Sequence, residues 1–287
     1  MSNSKDEDIS AVYSDYVVGR IFDEENRNLF SKIESAFDNC FMLSKENRVL
    51  EAETHLKAGE RYKSLISPEL QPWVTSFLGQ RVSYFYYKVG NFEKAIDISN
   101  QIISSSRTLV SSGFQFMFFT EIQQRFNISR IFFAKREISA ALEYNINSIQ
   151  QTLERSPKWN ANLFIESSSF SERDIIFDMQ YKMMLSIILE SYSRAIKALE
   201  NNWCSLYSTL TEFTTKMERL DFEIQSGYYD CKDFSIFLKI VKYFFENGAE
   251  SVDDTGADFL QSKHTDKRLL KILYELAKII SYNTRKV

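Results

Sequence analysis

Glycine and proline are scarce in this chain, 8 and 3 of 287 residues. Many-stranded sandwiches, barrels and phosphate-cradling loops use such residues for tight turns and close backbone approach, so their scarcity argues against those folds. Histidine is scarcer still. Only His55 and His264 are present, which leaves little material for general acid–base chemistry or a nitrogen-rich metal site. Cys40, Cys204 and Cys231 are far apart and form no C-x-x-C pair, so neither a zinc knuckle nor a disulfide framework is expected, and a reducing compartment fits. No run of 18 residues is apolar and free of charge, and no membrane span is expected. Residues 1–8 are acidic where a secretory leader would be basic and then apolar; they read as a disordered polar tail. Lys and Arg number 35 against 39 Asp and Glu, a net charge of −4, so no cationic excess competes for a phosphate backbone and nucleic acid is not expected as a partner. A cytoplasmic protein is expected, or a nuclear one in a eukaryote.

What the chain has in quantity is aromatic and apolar residues, with 24 Phe and 15 Tyr in a sequence that is 44% apolar. They recur at steps of three and four, the period of amphipathic helices, and no segment keeps a two-residue alternation between hairpin turns. Leu29, Phe30, Ile33, Ala36, Phe37, Cys40 and Phe41 trace one face behind the acidic Asp23, Glu24 and Glu25, which favour a helix amino end. Further helices are predicted over 9–21, 45–65, 69–89, 92–106, 114–135, 138–155, 173–201, 203–219, 233–246 and 266–282. Ser67 is the predicted N-cap before Pro68. Ser-rich residues 156–171 and the polar stretch 247–263 read as loops. The expected fold is all-α, ten to eleven helices in antiparallel hairpins, as one domain over 9–287 with a possible sub-boundary at 156–171.

Self-similarity sharpens this expectation. The segment Tyr86-Tyr-Lys-Val-Gly-Asn-Phe-Glu-Lys-Ala-Ile-Asp97 resembles the centre of a tetratricopeptide repeat: aromatics close the first helix, Gly-Asn-aromatic makes the turn, and Lys-Ala-Ile opens the second helix. Small Ala95 lets the two helices cross closely, and Ser83 stands where that family has a small residue. A second copy, Phe132 to Glu143, aligns Ala141 with Ala95, Ile138 with Phe92 and Ser129 with Ser83, without the turn glycine. A third supplies Ala52, Leu56 and Gly59 as a small-large-small stripe. The matched alanines are 43 and 46 residues apart (95 − 52 and 141 − 95), longer than the family's usual interval of about 34. The resemblance covers about residues 45–155 and implies an α-solenoid whose first helices line a concave groove.

In that groove the resemblance would expose Phe77, Gln80, Arg81, Tyr84, Tyr87 and Lys88 from one first helix and Gln123, Asn127 and Arg130 from the next. Rings supply area, amides satisfy a peptide backbone and cations attract acidic groups, so the implied partner is a protein or peptide. The expected role is a non-catalytic interaction scaffold or adaptor within a larger complex, with no cofactor; a peptide-sensing regulator is the alternative. Arg48 and His55, seven positions apart, resemble the Arg/His pair of the all-α HEPN-type ribonucleases, although Val49 stands where that family has a polar residue. Asp253, Asp254 and Asp258 lack the alternating ligands of a calcium loop. Lys267, Arg268, Lys271 and Lys278, followed by Arg285 and Lys286, read as the polar outer face of a capping helix.

Overall fold

The computed structural model describes residues 9–155, 172–199, 201–220, 222, 232–247 and 266–284. Among these the regular structure is entirely helical: α1 (Ile9–Ile21), α2 (Glu24–Lys45), α3 (Val49–Lys63), a 3-10 turn (Pro68–Leu70), α4 (Gln71–Lys88), α5 (Phe92–Ser111), α6 (Met117–Ala134), α7 (Ile138–Arg155), α8 (Glu172–Leu199), α9 (Trp203–Met217), α10 (Lys232–Asn247) and α11 (Lys267–Thr284). The chain divides into two compact units, Met1–Ile131 and Phe132–Val287. The sub-boundary expected at 156–171 lies outside the described residues, as does the loop expected at 247–263 except for Asn247, which ends α10, and so do the 1–8 tail, His264, Cys231 and Asp253, Asp254 and Asp258.

Local chemistry sets the helix ends. Asp23 caps α2, its carboxylate accepting from the Asn26 N–H at 2.8 Å, and those hydrogen bonds hold its carboxyl below the usual range. Asn91 and Asn202 cap α5 and α9 in the same way, accepting from the N–H groups of Lys94 and Ser205. Ser67 departs from expectation. It makes no cap hydrogen bond of its own, and a 3-10 turn rather than α4 begins at Pro68. Its hydroxyl instead accepts from the side-chain amide of buried Asn26 at 3.2 Å, while its N–H donates to the Asn26 side-chain Oδ1 at 3.1 Å, so the pair ties the start of α2 to this turn.

Three turns are built alike. Asn47, Gly90 and Arg136, 43 and 46 residues apart (90 − 47 and 136 − 90), adopt positive φ of 60°, 78° and 64°. The N–H of the next residue then reaches back five positions, Arg48 to Leu43, Asn91 to Tyr86 and Glu137 to Phe132, each at 2.9 Å. This is the closing bond of a Schellman end. The carbonyls of Arg48, Asn91 and Glu137 in turn accept from Ala52, Ala95 and Ala141 at 3.0 Å, and all three alanines are fully buried. The three second helices α3, α5 and α7 therefore start in register with the sequence repeat.

At these turns the left-handed conformation is easy for glycine and strained for arginine. Arg136→Gly is expected to raise stability by roughly 0.5 kcal/mol after the added unfolded-state entropy is deducted, and Gly90→Ala to lower it by about 1 kcal/mol. Urea unfolding midpoints of the two variants should therefore move in opposite directions.

In the first unit α2 packs on α3, α4 on α5, and α2 on α4. The α4/α5 seam is made of small residues. Ser76 and Ser106 meet at 3.2 Å, Ser83 and Ser99 at 2.9 Å, and the Ser83 hydroxyl donates to the Ala95 carbonyl at 3.0 Å. Between these pairs a Cβ added at Gly79 would lie 2.8 Å from Ile102. Rings fill the amino-proximal end: Phe77 stacks on Trp73 at 5.5 Å and takes the edges of Tyr13 and Phe30, both at 6.4 Å.

In the second unit the 28-residue α8 touches α7, α9 and α11. Asn145 donates to the Ser191 hydroxyl at 2.8 Å and Gln180 to the Thr152 carbonyl at 3.2 Å, so a buried polar seam joins α7 to α8. Tyr192, fully buried, shares a hydrogen bond with Thr214 at 2.8 Å and packs edge-on against Phe213 and Phe237. Tyr181 stacks on Phe234 at 5.0 Å.

A candidate interaction face on the first helices

The turn register extends to the helices that precede each turn. Shifted by 43 residues, Arg81 falls on Asp38, Tyr84 on Phe41 and Phe77 on Glu34; shifted by 46, they fall on Asn127, Arg130 and Gln123. Between α2 and α4 equivalent positions touch. The Arg81 guanidinium is hydrogen-bonded to the Asp38 carboxylate, lies 4.0 Å from Glu34 and donates to the Phe77 carbonyl at 3.0 Å. Phe41 meets Tyr84 edge-on at 4.8 Å. Residues 34, 38 and 41 follow helical spacing, so a row on α2 faces a row on α4.

The sequence pattern points to neither Glu34 nor Asp38, and it places Phe41 on the apolar face of α2 rather than in an interaction row. The signal that could have found them was the 43-residue shift applied to the first helix as well as to the second.

The eight predicted residues lie on two helices, five on α4 and three on α6. On α4, Gln80 is exposed, while Arg81, Tyr84, Tyr87 and Lys88 are half-buried. Tyr84 tilts toward Tyr87 at 6.2 Å, and Tyr87 toward Phe92 at 5.9 Å. Arg81 differs in kind from the free groove cation expected, because two acidic side chains of α2 already neutralise it. Burial pushes the Glu34 carboxyl up, against the opposing pull of Arg81, and it pushes the Tyr84 hydroxyl up as well. Phe77 is held among Trp73, Tyr13 and Phe30 and belongs to the packing of the unit.

On α6 the amides form a ladder. Gln123 donates to Asn127 at 3.4 Å, Arg130 donates to the same Asn127 oxygen at 3.2 Å, and Asn127 donates to Gln124 at 3.2 Å. The Arg130 guanidinium also lies 4.2 Å from the centre of the Phe126 ring. All three predicted residues on this helix are half-buried. Carboxylates of α2 thus meet a compensated arginine and rings of α4, and α6 carries its own row of amides and a guanidinium.

Of the Arg48 and His55 pair, the arginine is held by neighbouring carboxylates. Arg48 donates to Glu51 at 2.8 Å and to Glu46 at 3.1 Å; these hydrogen bonds raise its pKa further and lower that of Glu51. His55 is half-buried on α3. Burial pushes the Cys40 thiol up to about 11, whereas Cys204 is exposed. Among the described residues no three His, Cys, Asp or Glu side chains are grouped to hold a metal ion, and no helix is long and apolar enough to cross a membrane.

Compared with protein-family models, with curated proteins and with solved structures, the chain matches none of them.

Proposed function

We propose that the chain is a non-catalytic interaction scaffold or adaptor, an array of tetratricopeptide-like hairpins that holds a partner protein or peptide as part of a larger complex. One observation carries this reading. Equivalent positions of α2 and α4, 43 residues apart, touch in two successive rows, and those rows leave rings and polar groups half-exposed along one face. A row of side chains repeated from helix to helix recognises an extended or helical ligand better than it recognises a single reacting atom. The ion pairs of Arg81 hold the face in register, while Gln80, Tyr87, Lys88, Asn127 and Arg130 are the groups offered to a partner.

The test is purification of the tagged chain from its native host, wild type beside Lys88→Glu with Arg130→Glu. These positions are chosen over Arg81 because a reversed charge at 81 would crowd Asp38 and Glu34. The scaffold reading expects a stoichiometric partner with the wild type and its loss with the double variant, both proteins giving the same circular dichroism. Equal recovery of the partner by the double variant contradicts the assigned face, and His55→Ala abolishing a nuclease activity of the purified chain contradicts the non-catalytic role.

A further inference from the structure

The last helix of the second unit has two unlike sides. Leu269, Ile272, Leu273, Leu276 and Ile280 are buried, and α11 packs against α8 and α10. On the outside Lys267, Lys271, Tyr274, Lys278 and Tyr282 follow one another at steps of four, three, four and four, a single stripe about 22 Å long at the helical rise of 1.5 Å per residue. All five are exposed. Tyr274 at 73% and Tyr282 at 61% are the most exposed aromatic rings among the described residues. No ion pair between described residues engages Lys267, Lys271 or Lys278; Arg268, beside the stripe, is held by Asp266 at 2.8 Å. At the far end of the stripe Lys278 and Tyr282 border a depression of about 420 Å³ that they share with Ile196 of α8 and with Glu275, Ile279 and Asn283.

A purely solvated outer face accounts for the lysines and leaves Tyr274, the more exposed of the two rings, without a role. Rings are enriched at protein interfaces, where they add contact area at small cost in side-chain entropy. Membrane adsorption through this helix is disfavoured because its apolar side is already used inside the unit. A nucleic-acid strand would take the lysines and rings, but it has no use for a depression walled by Ile196 and Ile279 with Glu275 on its rim. An apolar side chain does. The chemistry that uses every part of the surface is an amphipathic partner segment with an acidic flank.

We propose that this stripe and its depression dock an acidic amphipathic segment of a partner protein, one bulky apolar residue seating between Ile196 and Ile279 while carboxylates of the segment meet Lys271 and Lys278. This surface belongs to the second unit and does not depend on the first-helix face of the first unit.

The test uses the full chain and three fluorescein-labelled probes at 0.15 M salt: an 18-residue amphipathic helix of Leu, Ala and Glu, its counterpart with Lys at every Glu, and a 15-nucleotide oligo-U RNA. Fluorescence anisotropy is expected to show the Glu peptide binding at least tenfold more tightly than the Lys peptide or the RNA. Lys271→Glu with Lys278→Glu should weaken the Glu peptide at least tenfold, and Tyr274→Ser several-fold, with circular dichroism and thermal midpoint unchanged. The proposal is overturned if the Glu peptide binds no more tightly than the Lys peptide, if the RNA binds more tightly than either, or if the folded variants bind the Glu peptide as well as the wild type does.

Discussion

Glu121→Ala is expected to lower the free energy of unfolding by about 3–5 kcal/mol, the range for removing one partner from a buried ion pair. One Glu121 oxygen accepts from Arg107 at 2.8 and 3.0 Å and from Arg125 at 3.0 and 3.1 Å. Its side chain is 7% exposed and that of Arg125 15%, against 54% for Arg107. Removing the carboxylate leaves two guanidiniums facing each other, one of them largely cut off from water. The same geometry makes Arg107→Ala mild, under about 1 kcal/mol, because that arginine is half in solvent. Urea unfolding of the two variants distinguishes the cases: equal losses would mean that the Glu121–Arg125 pair is not the buried element of the α5/α6 contact.

The second large effect is one of sign. Alanine in place of a mid-helix glycine gains about 1 kcal/mol from propensity alone. At Gly59, however, an added Cβ would lie 2.3 and 2.5 Å from ring atoms of Phe37, itself 1% exposed. A buried ring has nowhere to go, and overpacking of this kind costs about 1–3 kcal/mol. Gly59→Ala should therefore destabilise, and Gly59→Val more so. Gly19, also helical, has nothing within 4 Å of such a Cβ, so Gly19→Ala should stabilise by up to about 1 kcal/mol. Thermal midpoints that rise for both alanine variants would show that α2 and α3 do not approach as closely as described.

The helices were legible because apolar residues kept a 3.6 period over long stretches, and the turn at Gly90 because glycine is the residue that takes positive φ without strain. Its equivalents were harder to read. Arg136 adopts the same conformation with a side chain that disfavours it, held by the same backbone bonds; the helix predicted to begin at 45 begins at Val49, after Asn47 has ended α2. The 3-10 turn at Pro68 was illegible because the partner of Ser67 is Asn26, 41 residues away.

The candidate face was legible in part. Spacing alone grouped Arg81 with Tyr84, and Gln123 with Asn127 and Arg130. That Arg81 is neutralised could not be read from its own helix, since Asp38 and Glu34 reach it from α2. The outer lysines of α11 were equally plain in the sequence. Tyr274 between them and Tyr282 beyond them gained meaning only once the helix was seen to bury its other side.

The most direct test of the interaction face is site-specific photocrosslinking in the native host. Benzoylphenylalanine is placed at Gln80 or Tyr87 on α4, and at exposed Lys57 on α3 or Thr108 on α5. A partner held along the first helices gives a discrete adduct of one mass from 80 and 87 and none from 57 and 108. Adducts of equal yield from all four positions, or only from the second helices, would contradict the account.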